Sequence, residues 1–237
     1  MGIKFIKGTD KEQLFSAGAD ELLTILKSQI ALSDSQVVLG LCGGRSIVGL
    51  LKALVATPNS DQVLSKIKFF MVDERLVPLD HEDSNFKLLN ELMFLPQIVS
   101  GAITQDQVHP FIAQSSKTDW GVGSYLTELS EFGGKFSTIV LSMGEDGHVA
   151  GLFPEHPMLA VSDKVFLAYE GSPKPPQQRM TASIPLLQTA DSAILLALGE
   201  PRKDAFKRFM DPGVSVEKCP SKLVEGISNV CVVTDLG

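Results

Sequence analysis

The chain is poor in the residues that build several common kinds of site. It has three cysteines in 237 residues, Cys42, Cys219 and Cys231, and neither their number nor their spacing fits a disulfide framework or a metal finger. Its four histidines are scattered, which argues against a structural zinc site. A reducing, cytoplasmic setting is therefore expected.

Long apolar runs and an excess of positive charge are also missing. No run approaches the ~18 apolar residues that span a bilayer, and the first residues lack the apolar stretch of a secretory signal. The net charge of −7 argues against a nucleic-acid backbone as the main partner. A local cluster of Arg and Lys can still bind a small phosphate, so we expect a small-molecule partner, with no nucleic acid and no membrane.

What the chain does have is an alternation of strand and helix patterns. With 44% hydrophobic and 21% charged residues it reads as an ordinary globular protein. Apolar spacing predicts helices over 11–31, 46–56, 84–94, 119–132 and 201–210, and strands over 36–42, 67–72, 107–112, 137–141, 165–169, 180–184, 192–198 and 229–233. This order predicts a single α/β domain over 1–237, doubly wound, with a mostly parallel sheet and helices on both faces.

Polar segments follow four of the predicted strands. They are Gly43–Ser46, Asp73–Arg75, Glu145–His148 and Gly199–Lys203. In an open α/β sheet, ligands bind beyond the carboxyl ends of the strands. We therefore expect these four segments to converge on one crevice.

The segment around His148 carries the chemistry of a general base. An imidazole titrates near neutral pH, and the neighbouring Asp146 can orient it. Gly144 and Gly147 permit a tight backbone path and close approach of a ligand. Taken alone, the segment is equally consistent with a solvated histidine in an acidic turn.

The other segments carry groups that bind phosphate. Gly43 and Gly44, followed by Arg45 and Ser46, lie between a strand and a helix, where free N–H groups attract anions. The alternative is a tight turn with Ser46 as N-cap. Arg75 can grip phosphate with two hydrogen bonds, or can form an internal salt bridge.

Further cations occur at Lys174, Arg179 and Lys203. Each alone would most often be a solvated surface cation. Asp83 or Ser84 is expected to cap the helix that follows it.

Together these motifs resemble those of the glucosamine-6-phosphate isomerase/6-phosphogluconolactonase family, and within it the 6-phosphogluconolactonases. The resemblance covers essentially the whole chain. It rests on three main motifs and two extensions: Gly43-Gly44; Val72-Asp73-Glu74-Arg75 with Asp83-Ser84-Asn85; Met143-Gly144-Glu145-Asp146-Gly147-His148 with Leu152-Phe153-Pro154; Arg179-Met180-Thr181; and Gly199 with Lys203.

The resemblance implies hydrolysis of a sugar-phosphate lactone, 6-phosphoglucono-1,5-lactone, in the oxidative pentose phosphate pathway. His148 would activate water and Asp146 would hold His148. The substrate and its phosphate would contact Asp73, Arg75, Arg179, Lys203 and the Gly43–Ser46 loop. No metal or organic cofactor is implied, and the chain would be a monomer or a small homo-oligomer.

Two departures and two alternatives accompany this resemblance. Arg45 stands where many members have serine, and Ser142 where glycine is usual. Glucosamine-6-phosphate deaminase shares some motifs, but its pattern has tyrosine at the position of Arg75 and Asn-Glu-Pro where Leu152-Phe153-Pro154 stands. A non-catalytic sugar-phosphate sensor is the other alternative, although no helix-turn-helix segment is evident.

Overall fold

A computed structural model describes residues 2–32 and 36–237; residue 1 and residues 33–35 of the expected domain lie outside this description. The strands are β1 Lys4–Lys7, β2 Val37–Leu41, β3 Ile67–Met71, β4 Asp73–Arg75, β5 Val108–His109, β6 Thr138–Ser142, β7 Phe166–Tyr169, β8 Arg179–Ala182, β9 Ser192–Ala197 and β10 Asn229–Thr234. The α-helices are α1 Lys11–Leu32, α2 Arg45–Ala56, α3 Ser60–Leu64, α4 Asn85–Leu89, α5 Leu95–Val99, α6 Val122–Ser130, α7 Ile184–Leu187 and α8 Lys203–Met210.

The central sheet confirms the predicted fold class. Its strands are all parallel, in the order β1-β10-β9-β6-β2-β3-β5. Every residue of β2 and of β9 is buried, as expected of strands covered on both faces. Nearly all of the buried apolar residues form one cluster that runs from Leu14 to Leu236.

The second sheet was not predicted. The segment Asp73–Arg75, expected as a loop, is the short strand β4, which pairs antiparallel with β8, and β8 pairs with β7. Strand β4 precedes β7 and β8 by more than 90 residues in the chain, and periodicity within one segment does not reveal such a pairing. This small sheet brings Asp73 and Arg75 next to Arg179.

Other elements differ from prediction mainly in their bounds. Strand β1 and helices α3 and α7 were not predicted, and α7 begins at Ile184, where the sequence predicted the end of a strand. The helix expected over 84–94 begins at Asn85 after the N-cap Ser84 and continues through a π-helical turn, Asn90–Phe94, into α5. Helix α6 is shorter than expected, because Gly121 adopts a left-handed conformation that marks its start.

Within the described ranges, no helix combines the length and the apolar character that crossing a bilayer requires.

Candidate active site

The predicted convergence of polar segments follows from the strand order. The strands that precede the four segments are β2, β3, β6 and β9, and they are the adjacent group β9-β6-β2-β3 in the sheet. The chain runs from β2 towards β3 in one direction and from β6 towards β9 in the other. A reversal of this kind opens a crevice at the carboxyl ends of the two strands, which is the usual ligand site of such sheets.

A cavity of about 230 Å³ lies at this point. Of the predicted site residues, Gly43, Gly44, Asp73, Arg75, His148 and Arg179 line it. Asn85, Lys174 and Arg202, which the sequence did not single out as site residues, line it as well. The structure thus brings most of the predicted residues together.

His148 and Asp146 form a hydrogen-bonded pair at the cavity. The Nδ1 atom of His148 contacts Oδ1 of Asp146, and the backbone N–H of His148 donates to the same oxygen at 3.2 Å. Burial raises the pKa of Asp146, but the bond to His148 and the charges of His148 and Lys174 outweigh it, so the pKa lies well below its usual range. An ionised Asp146 only accepts hydrogen bonds, so in the neutral form of the imidazole Nδ1 carries the proton and Nε2 presents its lone pair.

The loop that carries this pair depends on Gly144. A Cβ atom at Gly144 would lie 2.0 Å from Nδ1 of His148, closer than any real contact. The Gly144 N–H donates to the His148 carbonyl at 2.8 Å, and Gly147, with φ of 84°, turns the chain between them. The loop therefore folds back on itself and presses the imidazole against Gly144. On its other side the His148 ring packs on Phe153, with centroids 4.6 Å apart.

Strand β4 separates its side chains by alternation. Asp73 and Arg75 point to the cavity, while Glu74, between them, points away. The Glu74 carboxylate accepts the backbone N–H groups of Asn85 and Phe86, each at 2.7 Å, at the start of α4. The pKa of Glu74 is raised, because the effect of burial exceeds the lowering effect of these backbone donors. Glu74 is thus a buried helix cap that fixes the position of Asn85.

Asp73 is held by Asn85 but keeps one oxygen free. The Asn85 amide donates to Oδ2 of Asp73 at 3.0 Å. Among the residues described here, Oδ1 of Asp73 and Nε of Arg75 are buried without a hydrogen-bond partner. Burial raises the pKa of Asp73, and the nearby Arg75 and Arg179 oppose this only in part. A buried polar atom without a hydrogen bond destabilises the folded protein. These two atoms therefore mark positions where a polar ligand would supply the missing hydrogen bonds.

Arg75 and Arg179 are direct cross-strand partners in the β4–β8 pair. The Arg179 guanidinium donates to Oγ of Ser172 at 2.8 Å and to the carbonyl oxygens of Lys174 and Pro175 at 3.2 and 3.1 Å. Burial lowers the pKa of Arg179, and the neighbouring Arg75 lowers it further. Two guanidinium groups on opposed residues of neighbouring strands have the chemistry to bind an anion.

The glycine loop places an uncapped helix end at the cavity. Gly44 is the N-cap of α2, and no side chain caps the free N–H groups of the first turn, so the expected alternative of a Ser46 cap does not occur. Gly43 is needed for packing, since a Cβ there would lie 1.9 Å from Oδ1 of Asn85. Arg45 and Ser46 face a neighbouring cleft that also contains Lys11 and Arg202.

Of the cations predicted to bind phosphate, only Lys203 lines neither the cavity nor the neighbouring cleft. Its ammonium group pairs with Glu200 at 2.8 Å, and half of its side chain is exposed. The preceding residue, Arg202, folds back instead and donates to the carbonyl oxygens of Met143 and Leu198 at 2.7 and 2.9 Å. Because successive helical residues point about 100° apart, the sequence alone does not decide which of the two faces the cavity.

Other chemistries find little support at this cavity. Burial raises the pKa of the Cys42 thiol far above its ordinary value, so Cys42 is a poor nucleophile. Within the described residues no group of three or more His, Cys, Asp or Glu side chains is arranged to hold a metal ion.

Comparison with known proteins identifies the family. A family model described as glucosamine-6-phosphate isomerases/6-phosphogluconolactonase matches residues 9–233. The chain belongs to this family. It is 33% identical to a 6-phosphogluconolactonase of Borreliella burgdorferi over 204 residues, 86% of this chain and 85% of the relative. It is 32% identical to the 6-phosphogluconolactonase of Homo sapiens over 191 residues, 77% and 71% of the two chains.

Solved structures of the family share the fold. A 6-phosphogluconolactonase of Thermotoga maritima superposes with a TM-score of 0.80 at 22% identity, over 98% of this chain and 99% of that one. A structure titled as a monomeric glucosamine-6-phosphate deaminase superposes equally well, with a TM-score of 0.80 at 16% identity over 98% and 97% of the chains. The fold alone therefore does not separate the two activities.

Proposed function

We propose that this protein is a 6-phosphogluconolactonase, which hydrolyses 6-phospho-D-glucono-1,5-lactone to 6-phospho-D-gluconate. The observation that carries the proposal is that one cavity is lined by His148, which Asp146 contacts from behind, and by the cross-strand pair Arg75 and Arg179. His148 with Asp146 activates water, and the arginine pair binds a phosphate. The lactonases among the curated relatives, at about one third identity, support the same activity.

In the proposed mechanism His148 is the general base. Asp146 accepts a hydrogen bond from the protonated Nδ1 of His148, which leaves Nε2 as the basic nitrogen. Nε2 takes a proton from water as the water oxygen attacks the lactone carbonyl carbon. The tetrahedral intermediate collapses by breaking the bond between that carbon and the ring oxygen. The imidazolium returns its proton to the leaving ring oxygen, and the acid that forms ionises at neutral pH. No covalent enzyme intermediate is formed.

The cationic and polar walls hold the substrate in this scheme. Arg75 and Arg179 bind the phosphate with charge-assisted hydrogen bonds. Asp73, whose Oδ1 is unpartnered within the described part of the chain, accepts a sugar hydroxyl. Arg202 and the start of α2 contribute further positive charge, while Arg45 and Ser46 remain at the rim towards the neighbouring cleft.

Deamination of glucosamine 6-phosphate is the nearest alternative, and the residue at 153 disfavours it. The deaminase pattern has a carboxylate where Phe153 stands. Here the Phe153 ring packs on His148 on one side, and the Arg179 guanidinium lies 5.5 Å from its centroid. An apolar ring at this position cannot transfer a proton, so the carboxylate of the deaminase pattern is missing at residue 153.

The test is a lactonase assay on freshly made 6-phosphoglucono-1,5-lactone, following proton release and subtracting spontaneous opening. We expect wild-type turnover well above background, a loss of roughly 10²–10⁴-fold in His148→Ala, and no ammonia release from glucosamine 6-phosphate. Wild-type protein that does not accelerate lactone opening would refute the activity. Undiminished hydrolysis by His148→Ala, or a trapped acyl-enzyme, would refute the mechanism.

A further inference from the structure

Lys174 is a cation at the cavity that the proposed mechanism leaves without a role. Its ammonium nitrogen lies 3.3 Å from Oδ2 of Asp146, and 41% of its side chain is exposed. The two oxygens of Asp146 are thus divided: Oδ1 faces His148, and Oδ2 faces Lys174. The order along the edge of the cavity is lysine, aspartate, histidine.

The backbone of Lys174 is fixed from the opposite direction. Oγ of Ser172 donates to the Lys174 carbonyl at 3.0 Å, and Nη2 of Arg179 donates to the same oxygen at 3.2 Å. The Lys174 N–H in turn donates to Oγ of Ser172 at 3.3 Å. A flexible side chain is therefore attached to a backbone position that the phosphate-binding arginine itself holds.

We propose that Lys174 is a positioning residue that acts on His148 through Asp146. This inference rests on the proposed function, and it adds Lys174 to the general base that His148 and Asp146 form in that proposal. The ion pair keeps the Asp146 carboxylate in one orientation, with Oδ1 directed at Nδ1 of His148. The positive charge of Lys174 also opposes a second positive charge on the imidazole, so removal of that charge should favour protonation of His148.

Several other charged or titratable groups face the same pair, and each stays constant when only Lys174 is changed. Asp73, Glu145, Arg179 and Arg202 line the cavity, Asp73 interacts electrostatically with His148, and Arg208 and Cys219 lie beneath Gly147. Of the cations among them, only Lys174 forms an ion pair with Asp146 within the described ranges. Its removal should therefore have a distinct effect on the titration of His148.

The experiment compares Lys174→Met with Lys174→Arg by NMR of histidine-labelled protein, with the His148 signal assigned from a His148→Asn variant. In Lys174→Met we expect the imidazole to titrate at a higher pH by roughly half to one pH unit. Lys174→Arg restores the charge and should titrate like the wild type. Lys135→Met is the matched control, because Lys135 is an exposed lysine paired with Asp191 at 3.1 Å, away from the cavity. It should change nothing.

Activity gives a second readout. The acid side of the kcat profile should move to higher pH in Lys174→Met, by the same amount as the titration, while KM for the phosphorylated lactone changes less than about two-fold.

An unshifted imidazole would overturn the proposal, and so would a KM increase confined to the phosphorylated substrate, which would make Lys174 a direct ligand contact. If Lys174→Met does not fold, Lys174→Gln provides the same comparison. A wild type without lactonase activity would refute the proposed function, and the titration would still decide the role of Lys174.

Discussion

Arg75 and Arg179 lie directly opposite each other in the antiparallel β4–β8 pair. Like charges at opposed positions of a sheet destabilise it, and here burial increases the cost, as the lowered pKa of Arg179 shows. Each guanidinium is held from behind: Arg75 donates to the Asp83 carbonyl at 2.5 Å, and Arg179 to Ser172 and two carbonyl groups. The arrangement is unfavourable in the free protein, and the phosphate that we propose to bind between the two cations would relieve the repulsion.

Arg75→Ala should weaken binding of the phosphorylated product selectively. A charge-assisted contact is worth about 1.5–3 kcal/mol, so we expect a roughly ten- to hundred-fold weaker affinity for 6-phosphogluconate and little change for gluconate, measured by calorimetry. Lys207→Ala is the control, since Lys207 is an exposed cation paired with Asp204. Equal losses for both ligands would remove Arg75 from the phosphate site.

The neighbouring residues Arg202 and Lys203 give a second test. Arg202 lines the cavity and Lys203 pairs with Glu200 outside it. We expect Arg202→Ala to raise KM for the phosphorylated lactone roughly ten-fold, and Lys203→Ala to change it less than about two-fold. The opposite ranking would mean that the Lys203 side chain rotates into the site when substrate binds, as the family resemblance implies.

Asp73→Asn should stabilise the protein while reducing its activity. Because burial raises the pKa of Asp73, the folded state disfavours the ionised carboxylate, and the wild type loses stability as the pH rises from the ordinary pKa of an aspartate through the raised pKa of Asp73. The amide variant avoids that loss, and a gain of about 1 kcal/mol corresponds to roughly 2–4 °C in Tm for a chain of this size.

The pH dependence provides the control for Asp73→Asn. Below about pH 3, which lies under the ordinary pKa of an aspartate, the carboxyl is protonated in both the folded and the unfolded chain, so the difference in Tm that comes from its ionisation should vanish there. Asp191→Asn, at an exposed position paired with Lys135, should show no comparable gain. A variant less stable than the wild type at neutral pH would show that Arg75 and Arg179 need this charge more than its burial costs.

Gly144→Ala should impair catalysis without an equal loss of stability. The added methyl group would meet the His148 imidazole at 2.0 Å, and moving the ring out of the cavity is easier than moving the backbone of the central sheet. We expect kcat to fall by roughly the 10²–10⁴-fold that a general base contributes. Gly8→Ala is the control, because its added Cβ would make only an ordinary 3.4 Å contact with Leu14. Near-normal kcat in Gly144→Ala would mean that the base is not His148.

The central sheet was predictable because its signals are local. Strands such as Val37–Leu41 and Ser192–Ala197 are short apolar runs bounded by turn residues, and the segments that follow them carry the glycines and charges of the site. A rule about strand ends then places these segments at one edge. The predicted positions of Gly43, Asp73 and His148 at the cavity follow from that rule alone.

The parts that were missed depend on contacts between distant segments or on the rotation of a single side chain. The pairing of Asp73–Arg75 with Arg179–Ala182 joins two segments that look unrelated in sequence. The roles of Asn85 and Lys174 depend on hydrogen bonds and an ion pair formed after folding. For Arg202 and Lys203, the deciding fact is the direction in which α8 begins, which composition does not encode.

The cavity walls span the chain from Cys42 to Arg202, and they come from the segments after adjacent strands of the central sheet, from β4 and β8 of the small sheet, and from the start of α4. A growing or partly folded chain that lacks β9 has the His148 loop but no Arg202, and one that lacks β8 has Arg75 without Arg179. The pocket therefore comes into existence only with the last of these segments. A ligand that recognises the finished pocket binds no earlier folding intermediate, so its concentration sets how strongly it draws the chain towards the native state.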